Sequence, residues 1–136
     1  MAKVLIANDG TTNHESMTHI LTNMGHLVNE AVTGKDAITQ MESCFPDLII
    51  CDLEMRDGDG LDVVASQGRK PAVLRSPILL LTGARDHVSL RRRMRERGIN
   101  AEDITAVFSS PIDMELFRSS VGALLKKTHR ISRTPN

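Results

Sequence analysis

The residues that could take part in chemistry lie directly after short apolar runs of this sequence. They are Asn8 and Asp9, Asp52, Thr82, and Ser110 with Pro111. Two acids that meet at one edge form a plausible magnesium site, because that ion prefers oxygen ligands and keeps several waters. A nearby threonine adds a hydroxyl donor. Together these groups could surround a phosphoryl group whose acceptor is the carboxylate of Asp52, a known class of nucleophile in phosphoryl transfer.

Asp52 depends on the element that precedes it. Leu48–Cys51 is continuously apolar, which is typical of a strand in a parallel sheet that is covered on both faces. Asp52 would then lie at the carboxyl end of the strand, the edge where open α/β sheets bind ligands. Taken alone, the same stretch is also compatible with a polar turn at Asp52 and a simple loop at Gly58–Gly60.

Strand and helix patterns alternate five times along the chain. The predicted strands are Lys3–Ala7, Leu27–Val32, Leu48–Cys51, Pro77–Leu81 and Ala106–Phe108. The first, second, third and fifth strands are followed by apolar residues at helical spacing; Gly25 ends the first helix, Thr33 caps the second, and Gly68 and Pro71 break the third. The fourth strand is followed by a charged helix, from about Asp86 to Arg97. This order predicts an α/β fold with a five-stranded parallel sheet and helices on both faces.

Length, charge and composition limit the possible functions. The chain has 136 residues, enough for one domain with a substantial core, and 17 basic and 17 acidic residues that cancel. No targeting or spanning segment is recognisable, which predicts a cytosolic protein. Cys44 and Cys51 lack CxxC spacing and are expected to be reduced thiols. With three Phe and no Trp or Tyr, a stacking platform for nucleic acid is not expected.

The chain resembles the receiver domain of two-component response regulators. The matching segments are VLIAND, AVTGKDAI, PDLIICDLEMRDGDG, PILLLTGA and FSSPID, in the family's order and spacing. The resemblance covers about residues 1–127 and implies a flavodoxin-like, doubly wound (βα)5 fold with strand order 2-1-3-4-5. Residues 128–136 are then expected to form a flexible tail.

The resemblance also implies roles for individual residues. Asp52 would be the phosphoacceptor, Asp9 and Asp52 the carboxylate ligands of Mg²⁺, and the backbone carbonyl of Glu54 a third ligand. Thr82 would be the hydroxyl that moves to the phosphoryl oxygens. The implied donor is a histidine kinase or a histidine phosphotransfer protein, and the implied output is protein binding through the face formed by helix four, strand five and helix five.

Three positions depart from the family pattern. Asn8 replaces an acid, so we expect weak magnesium binding. Ser110 replaces the lysine that pairs with the acceptor, and serine has neither its charge nor its reach; Arg56 and Arg85 could substitute, although such loop arginines are usually solvated. A cis Ser110–Pro111 bond is still accessible. Val107 replaces a rotating aromatic, and valine is small and stiff.

The predicted fourth helix is rich in arginine. Arg85, Arg91, Arg92, Arg93, Arg95 and Arg97 crowd this segment. One interpretation is a solvated helix whose charge is balanced by acids elsewhere in the chain. The other is a basic patch that docks an acidic partner. A DNA-binding role is less expected without a helix-turn-helix pattern.

Other sites are not supported by the spacing. The histidines show no i, i+4 pair, which argues against zinc, and an EF-hand that began at Asp57 would place Leu61 at a ligand position. The Asp52-Leu53-Glu54 segment lacks the second aspartate of haloacid-dehalogenase-like phosphatases.

The sequence therefore predicts a single-domain response regulator phosphorylated on Asp52, a signalling domain and not an enzyme. The alternatives are a phosphorylation-independent pseudo-receiver that acts as a docking module and, less favoured, a small phosphatase.

Overall fold

Five parallel strands form one sheet in the order β2-β1-β3-β4-β5, as predicted. The strands are β1 Lys3–Ala7, β2 Leu27–Ala31, β3 Leu48–Asp52, β4 Ile78–Thr82 and β5 Ala106–Ser109. The computed structural model describes residues 1–8, 14–83 and 86–132. All pairs of neighbouring strands run parallel, so each connection crosses over the sheet through a helix.

The helices within the described residues are α1 His14–Asn23, α2 Gly34–Cys44, α3 Gly60–Gly68, α4 Asp86–Glu96 and α5 Met114–Ser132. Thr33 caps α2, because its hydroxyl accepts a hydrogen bond of 3.0 Å from the N–H of Asp36. Asp59 and Asp62 form a capping box at the start of α3, each carboxylate accepting the other residue's N–H. These caps define where α2 and α3 begin.

The core consists of two apolar layers, one on each face of the sheet. Successive strand residues point to opposite faces. In β1, Leu5 therefore packs with α2, α3 and α4 side chains such as Met41 and Leu90. Ile6 packs with α1 and α5 side chains such as Phe117 on the opposite face. Helices thus cover both faces and leave the carboxyl edge of the sheet for polar residues.

The strand ends differ from the predictions by about one residue. β2 ends at Ala31, since Val32 is 55% exposed beyond it. β4 begins at Ile78 because Pro77 has no N–H for the ladder, although its carbonyl accepts from the N–H of Ile49 at 2.9 Å. β4 and β5 extend through Thr82 and Ser109.

The last helix continues further than predicted. α5 runs to Ser132, into the segment assigned to a tail, and residues 133–136 lie outside the described part. The boundary of the domain at residue 127 stays a prediction. Within the described chain, no helix combines the length and the apolar character needed to cross a membrane.

Candidate functional site

Asp52 is the last residue of β3 and is 5% exposed. The whole of β3 is buried, as its apolar run predicted, and it delivers this carboxylate to the carboxyl edge. Ala7 of β1 is in register with Cys51, so Asn8 is the next residue beside Asp52. Asn8 is buried, and its N–H donates to the Ala31 carbonyl at 2.9 Å. The edge thus combines a carboxylate with a neighbouring amide.

Thr82 lies on the other side of Asp52. It ends β4, is buried, and follows Leu81, which is in register with Asp52. Its Oγ1 lies 3.3 Å from Oγ of Ser109, the residue in register with it on β5. The neighbour of the Thr82 hydroxyl is therefore Ser109, which the sequence analysis did not select. The sequence signal that could have indicated Ser109 is its position at the end of the predicted fifth strand, one residue before Ser110. In the structure this position is in register with Thr82.

Ser110 contacts this edge through its backbone. Its N–H donates to the Thr82 carbonyl at 2.9 Å, and its peptide bond to Pro111 is cis. Ser110 is half-buried, beyond the end of β5. The cis bond that the sequence analysis considered accessible is thus present. A side chain at position 110 begins at the strand next to Thr82, where the family's lysine would begin.

We call residues 53–59, between β3 and α3, the acceptor loop. Its first residue is fixed by two hydrogen bonds: the Leu53 N–H donates to the Leu81 carbonyl, and the Gly60 N–H donates to the Leu53 carbonyl, both at 2.8 Å. Gly60 is needed for this approach, because a Cβ there would lie 2.6 Å from the backbone oxygen of Asp52. α3 therefore packs directly onto the backbone of the candidate acceptor.

The middle of the acceptor loop contacts the start of α2. The Gly34 N–H donates to the Arg56 carbonyl at 3.3 Å, and the Lys35 N–H donates to the Asp57 carbonyl at 2.8 Å. The two backbones meet so closely that a Cβ on Gly34 would overlap the carbonyl of Gly58. Gly58 itself has a φ of 100°, which side chains rarely adopt. This contact explains the glycine of the AVTGKDAI segment.

The oxygen donors at this edge fit the chemistry of Mg²⁺ in part. Asp52 offers a carboxylate and Glu54 a backbone carbonyl, which are hard ligands of the type that Mg²⁺ prefers. Asp9, the second predicted carboxylate, lies outside the described residues. In the part of the chain that is described, no three His, Cys, Asp or Glu side chains form a group that could hold a metal. The predicted ligand set therefore stays a prediction.

Cys51 is the nucleophilic group nearest to Asp52 in the chain, and its environment keeps it protonated. Burial, followed by the negative charge of Asp52, raises the pKa of this thiol well above its ordinary value. Its Sγ lies 3.4 Å from the Asp52 carbonyl oxygen. Since the thiolate is the reactive form, Cys51 is a core residue and Asp52 is the candidate nucleophile.

Two arginines were considered as substitutes for the family's lysine, and the structure describes one of them. Arg56 is exposed, and its carbonyl is used in the contact with α2; Arg85 lies outside the described residues. Val107 is half-buried in β5 and packs against the apolar layer that includes Leu90 and Met94 of α4. A small side chain thus occupies the β5 position beside α4.

The sequence and the fold are similar to those of known proteins. A family model described as the response regulator receiver domain matches residues 4–103. This chain belongs to the receiver domain family. The sequence is 32% identical over 126 residues to the response regulator MprA of Mycolicibacterium vanbaalenii, covering 93% of this chain and 51% of MprA. The receiver domain therefore spans about half the length of that relative.

Solved receiver domains have the same fold. The signal receiver domain of a signal transduction histidine kinase from Syntrophus aciditrophicus aligns with a TM-score of 0.77 at 27% identity, covering 100% of this chain and 96% of that one. The chemotaxis response regulator CheY4 of Vibrio cholerae aligns with a TM-score of 0.73 at 22% identity, over 91% of this chain and 98% of that one. The latter shows the fold alone.

Membership in this family confirms the predicted receiver domain and its assignment to two-component signalling. Receiver domains belong to two-component systems, are signalling domains, and interact with histidine kinases or phosphotransfer proteins. They generally bind Mg²⁺ at the phosphorylation site. The family match ends at residue 103, so Ser109 and Ser110 at the end of β5 lie beyond it.

Proposed function

We propose that this receiver domain accepts a phosphoryl group on Asp52 from a histidine kinase or a histidine phosphotransfer protein. The observation that supports this most directly is the position of the Asp52 carboxylate. It is buried at the carboxyl end of the central strand β3, between Asn8, the residue after β1, and Thr82, the last residue of β4. In open parallel α/β sheets, the carboxyl ends of the strands form the edge where ligands bind.

The proposed reaction is an in-line transfer. An oxygen of the Asp52 carboxylate attacks the phosphorus of phosphohistidine, the phosphorus–nitrogen bond breaks, and the electron pair leaves with the imidazole, which takes up a proton. The product is an acyl phosphate on Asp52. Bound Mg²⁺ would neutralise part of the charge on the phosphoryl oxygens. Asp9, Asp52 and the Glu54 carbonyl are its proposed ligands, and because Asn8 is an amide we expect weak binding.

Thr82 is the proposed hydroxyl partner of the phosphoryl group. Its Oγ1 is near the Ser109 hydroxyl, at 3.3 Å, and would exchange this neighbour for a phosphoryl oxygen. Ser110 would contribute its backbone N–H to the Thr82 carbonyl throughout. Downstream binding is proposed to use the α4-β5-α5 face, where Val107 packs against the apolar layer that contains Leu90 and Met94 of α4.

Replacement of Asp52 with asparagine should abolish phosphorylation. After incubation with Mg²⁺ and a small phosphodonor, intact mass spectrometry should detect one phosphoryl adduct on the wild type and none on Asp52→Asn. Asp57→Asn is the matched control, because Asp57 is exposed in the same loop and Asn tolerates its φ of 48°. A wild type without an adduct would favour the phosphorylation-independent docking module, and steady phosphate release would favour a phosphatase.

A lysine at position 110 should strengthen the response to modification. Ser110→Lys restores a long cationic stem at the strand next to Thr82, which can pair with Asp52 and then with the phosphoryl group. We expect larger amide shifts in α4 on addition of beryllofluoride, a phosphoryl mimic, measured by NMR. Ser110→Met separates added bulk from added charge. If Ser110→Lys and wild type give the same α4 shifts, Ser110 does not limit the response.

A further inference from the structure

Two arginine side chains at the end of α4 bind the acids of the acceptor loop and of the first turn of α3: Arg93 lies in the last turn of α4, and Arg97 directly follows the helix. Arg93 donates through Nη1 to Oε1 of Glu54 at 2.7 Å and through Nη2 to Oδ2 of Asp59 at 3.1 Å. Arg97 donates through Nη1 to Oδ1 of Asp59 at 3.2 Å and through Nη2 to Oδ1 of Asp62 at 2.5 Å. The Arg97 N–H donates to the Arg93 carbonyl at 3.2 Å, so the i, i+4 spacing places both guanidinium groups on the same side at the end of α4. We call these five residues the α4 clamp.

The α4 clamp answers one question left open by the sequence. Arg93 and Arg97 are balanced by acids of the same chain, which is the first of the two interpretations offered for the arginine-rich helix. Arg92 pairs with Glu96 within α4 at 3.6 Å and is 72% exposed. Arg91 and Arg95 are exposed, and Arg85 lies outside the described residues. A basic docking patch would therefore be smaller than the sequence suggests.

The geometry of the clamp restricts movement more than it adds stability. Isolated exposed ion pairs contribute little, but here each planar guanidinium binds two carboxylates, and Asp59 receives both arginines. The Arg93 side chain is 28% exposed. Its hydrogen bond to Glu54 raises the pKa of Arg93 above its ordinary value. The clamp fixes where α4 lies relative to Glu54 and Asp59.

The acceptor loop is held by side chains of the clamp as well as by backbone hydrogen bonds. The α2 side holds the middle of the loop through the backbone bonds of Gly34 and Lys35, whereas Arg93 and Arg97 hold its two ends through side chains. Glu54 is two residues from Asp52, and Asp59 caps α3. A displacement of the Glu54 backbone therefore changes the position of the carboxylate that Arg93 binds, and α4 must follow or release it.

We infer that Arg93 and Arg97 are positioning residues that join the acceptor loop and α4 into one unit. This inference rests on the proposed function: phosphorylation of Asp52 would then reach α4 through Glu54 and Asp59, and would not need a rotating aromatic side chain at position 107. The α4 end of this connection is the helix proposed for output. The clamp thus connects Asp52 to α4 in a chain that has Val107 where other family members use an aromatic side chain for this connection.

The first arm of the test is carried out without a phosphodonor and without beryllofluoride. Arg93→Gln should shift the backbone amides of the acceptor loop in NMR spectra, and Glu54→Gln, which keeps the backbone carbonyl, should shift amides around residues 90–96. Arg92→Gln is the matched control, because Arg92 pairs only within α4 among the contacts described, and should leave the loop unchanged. Unchanged loop amides in Arg93→Gln would overturn the inference, whatever happens at Asp52.

The second arm adds beryllofluoride and Mg²⁺. In Arg93→Gln we expect shifts at the end of β3 to persist while the α4 shifts fall by about half or more, because the coupling between the two sites is lost. A merely structural role would reduce both together. Arg93→Lys, which keeps the charge but not the fork, should recover part of the α4 response. Equal α4 responses in Arg93→Gln and wild type would overturn the proposed route.

The two hypotheses fail differently. A wild type that shows no adduct and no beryllofluoride shifts near Asp52 contradicts the proposed function, and the first arm still decides whether the clamp joins loop and helix. A wild type that is modified, with an acceptor loop insensitive to Arg93→Gln, contradicts the clamp and leaves the proposed function standing.

Discussion

Replacement of Gly60 with alanine is expected to lower the free energy of unfolding by about 1–3 kcal/mol, because the added methyl overpacks the site where α3 meets β3. Its Cβ would lie 2.6 Å from the Asp52 carbonyl oxygen, 2.8 Å from Cδ1 of Leu80 and 2.9 Å from Cα of Leu53. Two of these atoms belong to the backbone and cannot move independently. We expect a lower urea midpoint at unchanged m-value.

Gly122→Ala is the matched control for this prediction. Gly122 is also helical, and the nearest atom to a Cβ there is Cε of Met24 at 3.8 Å, an ordinary contact. Alanine should be neutral or stabilise α5 by roughly 0.5–1 kcal/mol through helix propensity. Since the Asp52 carbonyl must move to admit the methyl group added by Gly60→Ala, that variant should also accept phosphate more slowly. Equal stability of the two alanine variants would mean that α3 can retreat from β3 freely.

The topology and the position of Asp52 at the end of β3 were predictable because both follow from local patterns. The apolar run Leu48–Cys51 indicates a buried strand by composition alone, and the alternation of strands and helices restricts the order of the sheet. Strand ends in a parallel sheet meet at one edge, so the sequence alone was enough to group Asp52 with Thr82. Their grouping did not depend on any long side chain.

The α4 clamp was not predictable from the same patterns. Arg93 lies 39 positions after Glu54, and long arginine side chains have many rotamers, so spacing along the chain does not determine which acid each one binds. The contact of Gly34 with Gly58 depends on two loops from different crossovers. Ser109 was not predicted, because the family resemblance assigns a role to the next residue, Ser110. It is the register between β4 and β5 that pairs Ser109 with Thr82.

The second large effect is expected from Phe117→Ala, which should cost about 3–5 kcal/mol of unfolding free energy. Phe117 is 0% exposed on the α1 and α5 face of the sheet and packs edge-to-face with Phe108, with ring centroids 6.1 Å apart. Truncation removes a large buried area, leaves a cavity and loses the ring pair. Thermal and urea unfolding should both show the loss.

Leu116→Ala is the control for this change, because Leu116 precedes Phe117 in α5 but is 54% exposed; its effect should stay within about 0.5 kcal/mol. The functional consequence follows from Phe108, which directly precedes Ser109 on β5. A loosened Phe108 ring releases the strand end that presents Ser109 to Thr82, so Phe117→Ala should broaden the amide signals of Thr82 and Ser109 at temperatures where the protein remains folded. Sharp signals at both residues, with the stability loss as expected, would mean that the α5 layer supports the fold without positioning the hydroxyl pair.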